Sequence, residues 1–141
     1  MDTRLDLYML IGVLVALDFA ITLLGWRLLT VFTRDHTSIS SAQDMEAFKA
    51  LVKMNMYMAI GIIVIVLIGL AVLAFGMFSG IINLLDFGMI TIVFGVFSQV
   101  TAKPITRLES MAKTLPVDGS QFADDYEEVK RKWKESLLPD W

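Results

Sequence analysis

Cysteine is absent from the 141 residues, histidine occurs once, as His36, and proline only three times. Without a thiol there is no disulfide, no thiolate nucleophile, no iron–sulfur cluster and no cysteine-ligated zinc. A single histidine excludes a two-histidine haem or metal site within the chain, and His36 stands in a polar loop where a solvated side chain is expected. Charge is scarce as well, at 19% of residues, against about 25% in an ordinary soluble domain. The net charge of −3 suits no phosphate backbone, so nucleic acid is not an expected partner. Nucleophile–base pairs, metal clusters and glycine-rich phosphate loops are missing too, so neither an enzyme nor a cofactor is expected.

What fills the space is hydrocarbon. Hydrophobic residues make up 56% of the chain, and its mean hydropathy is +0.66. They are gathered into blocks, which a soluble core would not require. The expected fold is an all-α integral membrane protein with three transmembrane helices, juxtamembrane amphipathic helices and a C-terminal cytoplasmic amphipathic helix.

A bilayer core about 30 Å thick takes about 20 apolar helical residues to cross. The first stretch, about 7–32, is interrupted by Asp18 and, near its end, Arg27. It is too long for a signal-peptide core and lacks a basic leader and a small-residue cleavage site, so it is expected to be retained. The second block, Met56 to Gln99, is 44 residues with one charge, Asp86. As helix it would be roughly 66 Å long, about twice the membrane. It must turn back, and Gly76-Met77-Phe78-Ser79-Gly80 is the best breaker present. Spans of about 57–77 and 81–100 follow. Residues 1–100 then form a three-span region with a 33–55 loop, and 101–141 form a helical tail.

Three crossings put that loop and the tail on one side. There lie Arg34, Lys49, Lys53, Lys103, Arg107, Lys113 and the Lys130–Lys134 cluster, while the other side offers only Arg4. The excess of cations flanking short loops places loop and tail in the cytoplasm and the N-terminus outside, in a plasma or bacterial inner membrane.

Ser41-Ala42-Gln43-Asp44 reads as a capping box. The helix it opens carries Met45, Phe48, Val52 and Met56 on one face and meets no Gly or Pro before the second span, so it should run straight on. Its stripe is either a docking surface or a juxtamembrane extension resting on lipid or on the tail. Beyond the third span, Lys103-Pro104-Ile105-Thr106-Arg107-Leu108-Glu109-Ser110-Met111-Ala112-Lys113 places a proline where a new helix would begin. Ile105, Leu108, Met111, Ala112 and Leu115 mark its apolar face. Over this dozen residues the chain resembles the first helix of a HAMP signalling linker, which implies signalling through juxtamembrane helices. The turn Pro116-Val117-Asp118-Gly119 and the short tail after it depart from that family.

The last helix, roughly 121–138, has Ser120 as its expected cap. Asp124, Asp125, Glu127 and Glu128 precede Lys130, Arg131, Lys132 and Lys134, which complements the helix dipole. Glu127–Arg131 and Glu128–Lys132 are the expected i,i+4 pairs. Phe122, Tyr126, Val129, Trp133 and Leu137 form one stripe, expected to dock on a partner or else to pack within the chain. Leu138-Pro139-Asp140-Trp141 is a further anchor or a frayed end.

Ionisable groups inside a span are functional-site hypotheses by default. Asp18 falls about 15 Å below the outer surface if the span starts near Tyr8, with Thr22 one turn on. Asp86 lies nearer the outer side, with Asn83 on its face, and is either a second intramembrane site or an acid that reaches water there. The two aspartates differ in expected depth by about 6 Å, so a shared polar site is open. No cation in the spans matches either, so each must be protonated, hydrated, hydrogen-bonded or paired from another subunit. Gly61, Gly69 and Gly76 form one small-residue face, and Gly88, Thr91, Gly95 and Ser98 another, which suggests that the second and third spans pack as a tight hairpin.

The function expected from these features is a small accessory or structural subunit of a larger membrane complex. Its partners would be membrane lipids and other membrane subunits or copies of itself. The alternative is a small oligomeric ion or proton transporter, or a channel component, using Asp18 and Asp86.

Overall fold

The computed structural model describes residues 3–139, so the closing Asp140 and Trp141 of the expected anchor lie outside the described residues. The chain forms four helices: α1 (Thr3–Asp35), α2 (Ala42–Phe78), α3 (Leu84–Lys113) and α4 (Ser120–Glu135). The first three are long and apolar enough to cross a membrane.

Each is longer than the span expected within it, because the flanking amphipathic segments join without a break. The capping box forms as the sequence demands. Ser41 Oγ accepts from the Asp44 amide at 3.1 Å, and the Asp44 carboxylate accepts from the Ser41 amide at 2.9 Å. From there α2 runs 37 residues without interruption. In α3 the helix does not restart at Pro104. The proline sits inside it, forfeiting one intrahelical bond, and the helix continues to Lys113. Ser120 does not cap α4 either: it is the first helical residue, behind Gly119 at φ 109°, and no side chain caps that end.

The turn falls where the glycines predict. Gly80 adopts φ 68°, and the amides of Ile81 and Ile82 both donate to the Gly76 carbonyl, at 2.9 and 3.0 Å. α3 starts three residues later than expected, because Asn83 Oδ1 accepts from the Asp86 amide at 2.8 Å and caps it. Ile82 folds back into a small core with Leu7, Ile11 and Leu73.

The expected α2–α3 hairpin is not the packing observed. α1 lies between the two, antiparallel to α2 and parallel to α3, and α2 and α3 touch little. Tyr8 reaches Asp86, and the rings of Phe19 and Phe97 lie 5.8 Å apart. Both pairs are 78 residues apart in the chain, so α1 and α3 keep one register over their length. The result is a thin layer with little interior.

At the end away from the turn, the helices carry a compact foot. Phe48, Val52 and Met45 of α2, Leu29 and Phe32 of α1, Ala112 of α3 and Tyr126 and Val129 of α4 form its core. The Phe48 ring lies 4.7 Å from Tyr126 and 6.2 Å from Trp133. A two-residue parallel bridge ties the loops together: Ile39 donates to the Pro116 carbonyl and accepts from the Asp118 amide, both at 2.9 Å.

Candidate functional site

The polar residues of the spans separate into two places. Asp86, in the first turn of α3, finds partners within its own chain: Arg4 and the Tyr8 hydroxyl both donate to its Oδ2 at 3.1 Å. The expectation that it lacks a cation of its own is therefore overturned. Arg4 and Asp86 stand at the same end of parallel helices, a relation that linear spacing hides. With Asn83 capping the helix, this cluster is the polar end of the layer rather than an interior site.

Asp18 is ten residues further along α1 than Tyr8, about 15 Å at helical rise. The shared site with Asp86 is thus not formed. The register brings Asp18 level with the Val64–Ile65 stretch of α2 and Val96 of α3, where no side chain ionises. Its Oδ1 is enclosed and has no hydrogen-bond partner. Thr22 is not turned to it in a hydrogen bond; it lines a cleft of about 250 Å³ between α1 and α3, with Phe19, Trp26 and Pro104. Among the described residues no three metal-ligating side chains converge.

The glycines divide likewise. A Cβ on Gly76 would come within 2.7 Å of Ile82 and 2.8 Å of Leu7, so this position is closed by α1 and the turn. At Gly61 a Cβ would meet Ile21 at 3.6 Å, an ordinary contact with α1. A Cβ on Gly69, Gly88 or Gly95 would meet nothing within 4 Å among the described residues. Gly69 borders a cleft of about 100 Å³ with Ile11, Leu14 and Thr91.

The stripe of α4 is covered from within. Tyr126 and Val129 are buried, and Phe122 and Trp133 pack against the same core. Only Leu137, 73% exposed, remains of the five residues expected to dock on a partner. The stripe of α2 from Met45 to Met56 is its counterpart, so each amphipathic helix answers the other. The Glu128–Lys132 pair forms at 3.1 Å, whereas Glu127 turns to Lys130 at 2.6 Å and Arg131 to Glu135 at 3.9 Å. His36 is not a solvated loop residue: its ring stacks on Phe32 at 4.5 Å, with Nε2 3.7 Å from Asp44.

Where spans meet foot, the flanking cations read from the sequence stand beside two aromatic rings, Trp26 and Tyr57, that the sequence reading passed over. Arg27, Lys53, Lys103, Arg107 and Lys134 are exposed there, and none has an acidic partner among the described residues. Trp26 and Tyr57, 47% and 49% exposed, stand beside them. Amphipathic rings next to cations are what a membrane–water boundary collects. The signal was present in Trp26-Arg27, at the end of the first apolar run. Asn55 and Glu109, joined at 2.8 Å across 54 residues, had no such signal. Comparison with protein-family models, with curated proteins and with solved structures gives no match for this chain.

Proposed function

We propose that this chain is a small accessory or structural subunit of a larger membrane complex, docking through its span layer rather than through α4. The observation that carries the reading is Asp18, whose Oδ1 is enclosed without a hydrogen-bond partner midway along α1. A carboxyl in oil needs a donor or a cation, and the described residues supply neither at that level. Oδ1 is closed off by this chain's own atoms, but Asp18 is only half-buried, so a polar side chain on a neighbouring span, from another subunit or a second copy, meets the carboxyl at its other oxygen. The open faces at Gly69, Gly88 and Gly95 allow close approach of such a neighbour. The cationic collar supports a plasma or bacterial inner membrane placement with the foot in the cytoplasm and the N-terminus outside.

Gentle detergent extraction of the tagged chain tests this reading. We expect other membrane subunits, or further copies, to co-purify, and Asp18→Leu to deplete them while Asp86→Asn does not. A monodisperse monomer from every mild detergent would overturn it. Ion or proton transport by Asp18 and Asp86 is the alternative. It is weakened because Asp86 is engaged by Arg4 and Tyr8 and lies a membrane half-thickness from Asp18. Flux in liposomes that Asp18→Asn abolishes, with assembly intact, would favour it instead.

A further inference from the structure

Where the apolar spans give way to the foot, α2, the end of α3 and α4 enclose a groove of about 280 Å³. Its two sides differ in chemistry. One wall is Met56, Ala59, Ile60 and Ile63 of α2; Ile63 is 48% exposed, so the wall continues along the outside of the span. The rim carries Asn55, Glu109, Lys113 and Lys134. Glu109 already accepts from Asn55 at 2.8 Å and has Lys113 Nζ 3.9 Å from its other oxygen. Lys113 also rests 4.2 Å from the centre of the Trp133 ring, which fixes the ammonium at the rim. Lys134 is exposed and has no acidic partner among the described residues. Two cations against one anion leave the rim one positive charge, directly beside a hydrocarbon wall.

We propose that this groove binds one anionic glycerophospholipid from the leaflet that faces the foot. Lys134, with Lys113, holds the phosphate, and an acyl chain lies along Ile60 and Ile63. Basic pockets between spans on the cytoplasmic side recognise headgroups in this way. One spare positive charge matches a monoanionic headgroup; a zwitterion would leave it unanswered. Soluble phosphate would satisfy the rim but leave the wall bare. The inference rests on the spans lying in a bilayer and is independent of any partner subunit.

The test uses the full chain in neutral maltoside detergent. Phosphatidylglycerol, phosphatidylcholine or inorganic phosphate is added at equal phosphorus, and bound lipid is counted by native mass spectrometry. One phosphatidylglycerol per chain should be retained in preference to phosphatidylcholine. Lys134→Gln should weaken that retention about fivefold, the worth of one cation near an anionic headgroup. Lys53→Gln, outside the groove, should not change it. In a Trp26→Phe, Trp141→Phe background, acyl-brominated phosphatidylglycerol should quench Trp133 fluorescence. Equal retention of the two lipids, unchanged retention by Lys134→Gln, or absence of quenching would each overturn the proposal. So would inorganic phosphate displacing the lipid at equal concentration, which would mark an ion site. Release of the chain from membranes without detergent would instead overturn the bilayer reading itself.

Discussion

The Tyr126 hydroxyl donates to the carbonyl of Ala112 at 2.7 Å and accepts from the Leu115 amide at 3.1 Å. One buried oxygen thus seals the end of α3 to the middle of α4. Tyr126→Phe keeps the ring against Phe48 but strands both backbone groups, at a cost of about 1–3 kcal/mol. Tyr126→Ala also removes the ring and should cost about 3–5 kcal/mol. Protease susceptibility of the foot in the detergent-solubilised chain reads both, and intact resistance in Tyr126→Phe would refute the seal.

The same residue predicts an alkaline limit. Burial raises the Tyr126 phenol above its ordinary value of 10.0. A raised folded-state value means that the stability it carries is full below pH 10 and declines as pH climbs through the folded value. The foot should therefore loosen at high pH in the wild type, and Tyr126→Phe should flatten that dependence.

At the other end of the foot the sign is opposite. Hydrogen bonds from Ser41, and then from Ser40, hold the Asp44 carboxyl below its ordinary value of 3.8. Stability from the capping box is present above pH 3.8 and is lost as pH falls through the folded value. Asp44→Asn should remove this acid dependence. Ser41→Ala should cost about 1 kcal/mol at neutral pH, measured by helical melting of the solubilised chain.

Two glycines on one helix should respond differently to alanine. At Gly76 the added methyl must displace Ile82 and Leu7, and overpacking of this kind costs about 1–3 kcal/mol. At Gly69 it meets open space, and better helix propensity should stabilise the isolated chain by up to about 1 kcal/mol. If a neighbouring span packs there, Gly69→Ala should lower co-purification while the isolated chain gains stability. A Gly69→Ala chain that is destabilised alone would contradict the geometry.

The absence of cysteine makes topology directly measurable. Ser79→Cys, at the turn, should react in intact cells with a membrane-impermeant maleimide. Ser120→Cys, in the foot, should react only after lysis. The reverse pattern would invert the orientation.

Much of this fold was legible in the sequence; Ser120 and Pro104 were misread locally, and the larger failures share one cause. Capping residues and glycines act locally, so Ser41 with Asp44 and Gly80 could be read directly, and the length of each apolar run set the number of long helices. Periodicity tells which residues share a face but not what that face meets. It marked Phe122, Tyr126, Val129 and Trp133 as one stripe and Met45, Phe48 and Val52 as another, without showing that they meet. It likewise paired the glycine faces of α2 and α3, although α1 takes the place between them. Asp86 was misread for the same reason, since Arg4 is 82 residues away in the chain.

Finally, α2 joins foot and turn as a single rod of 37 residues, about 55 Å long, with no proline. Without a proline it has no built-in sharp kink along that length. A load on its outer half therefore has one unbroken backbone ladder along which to reach Phe48 and, through it, Tyr126.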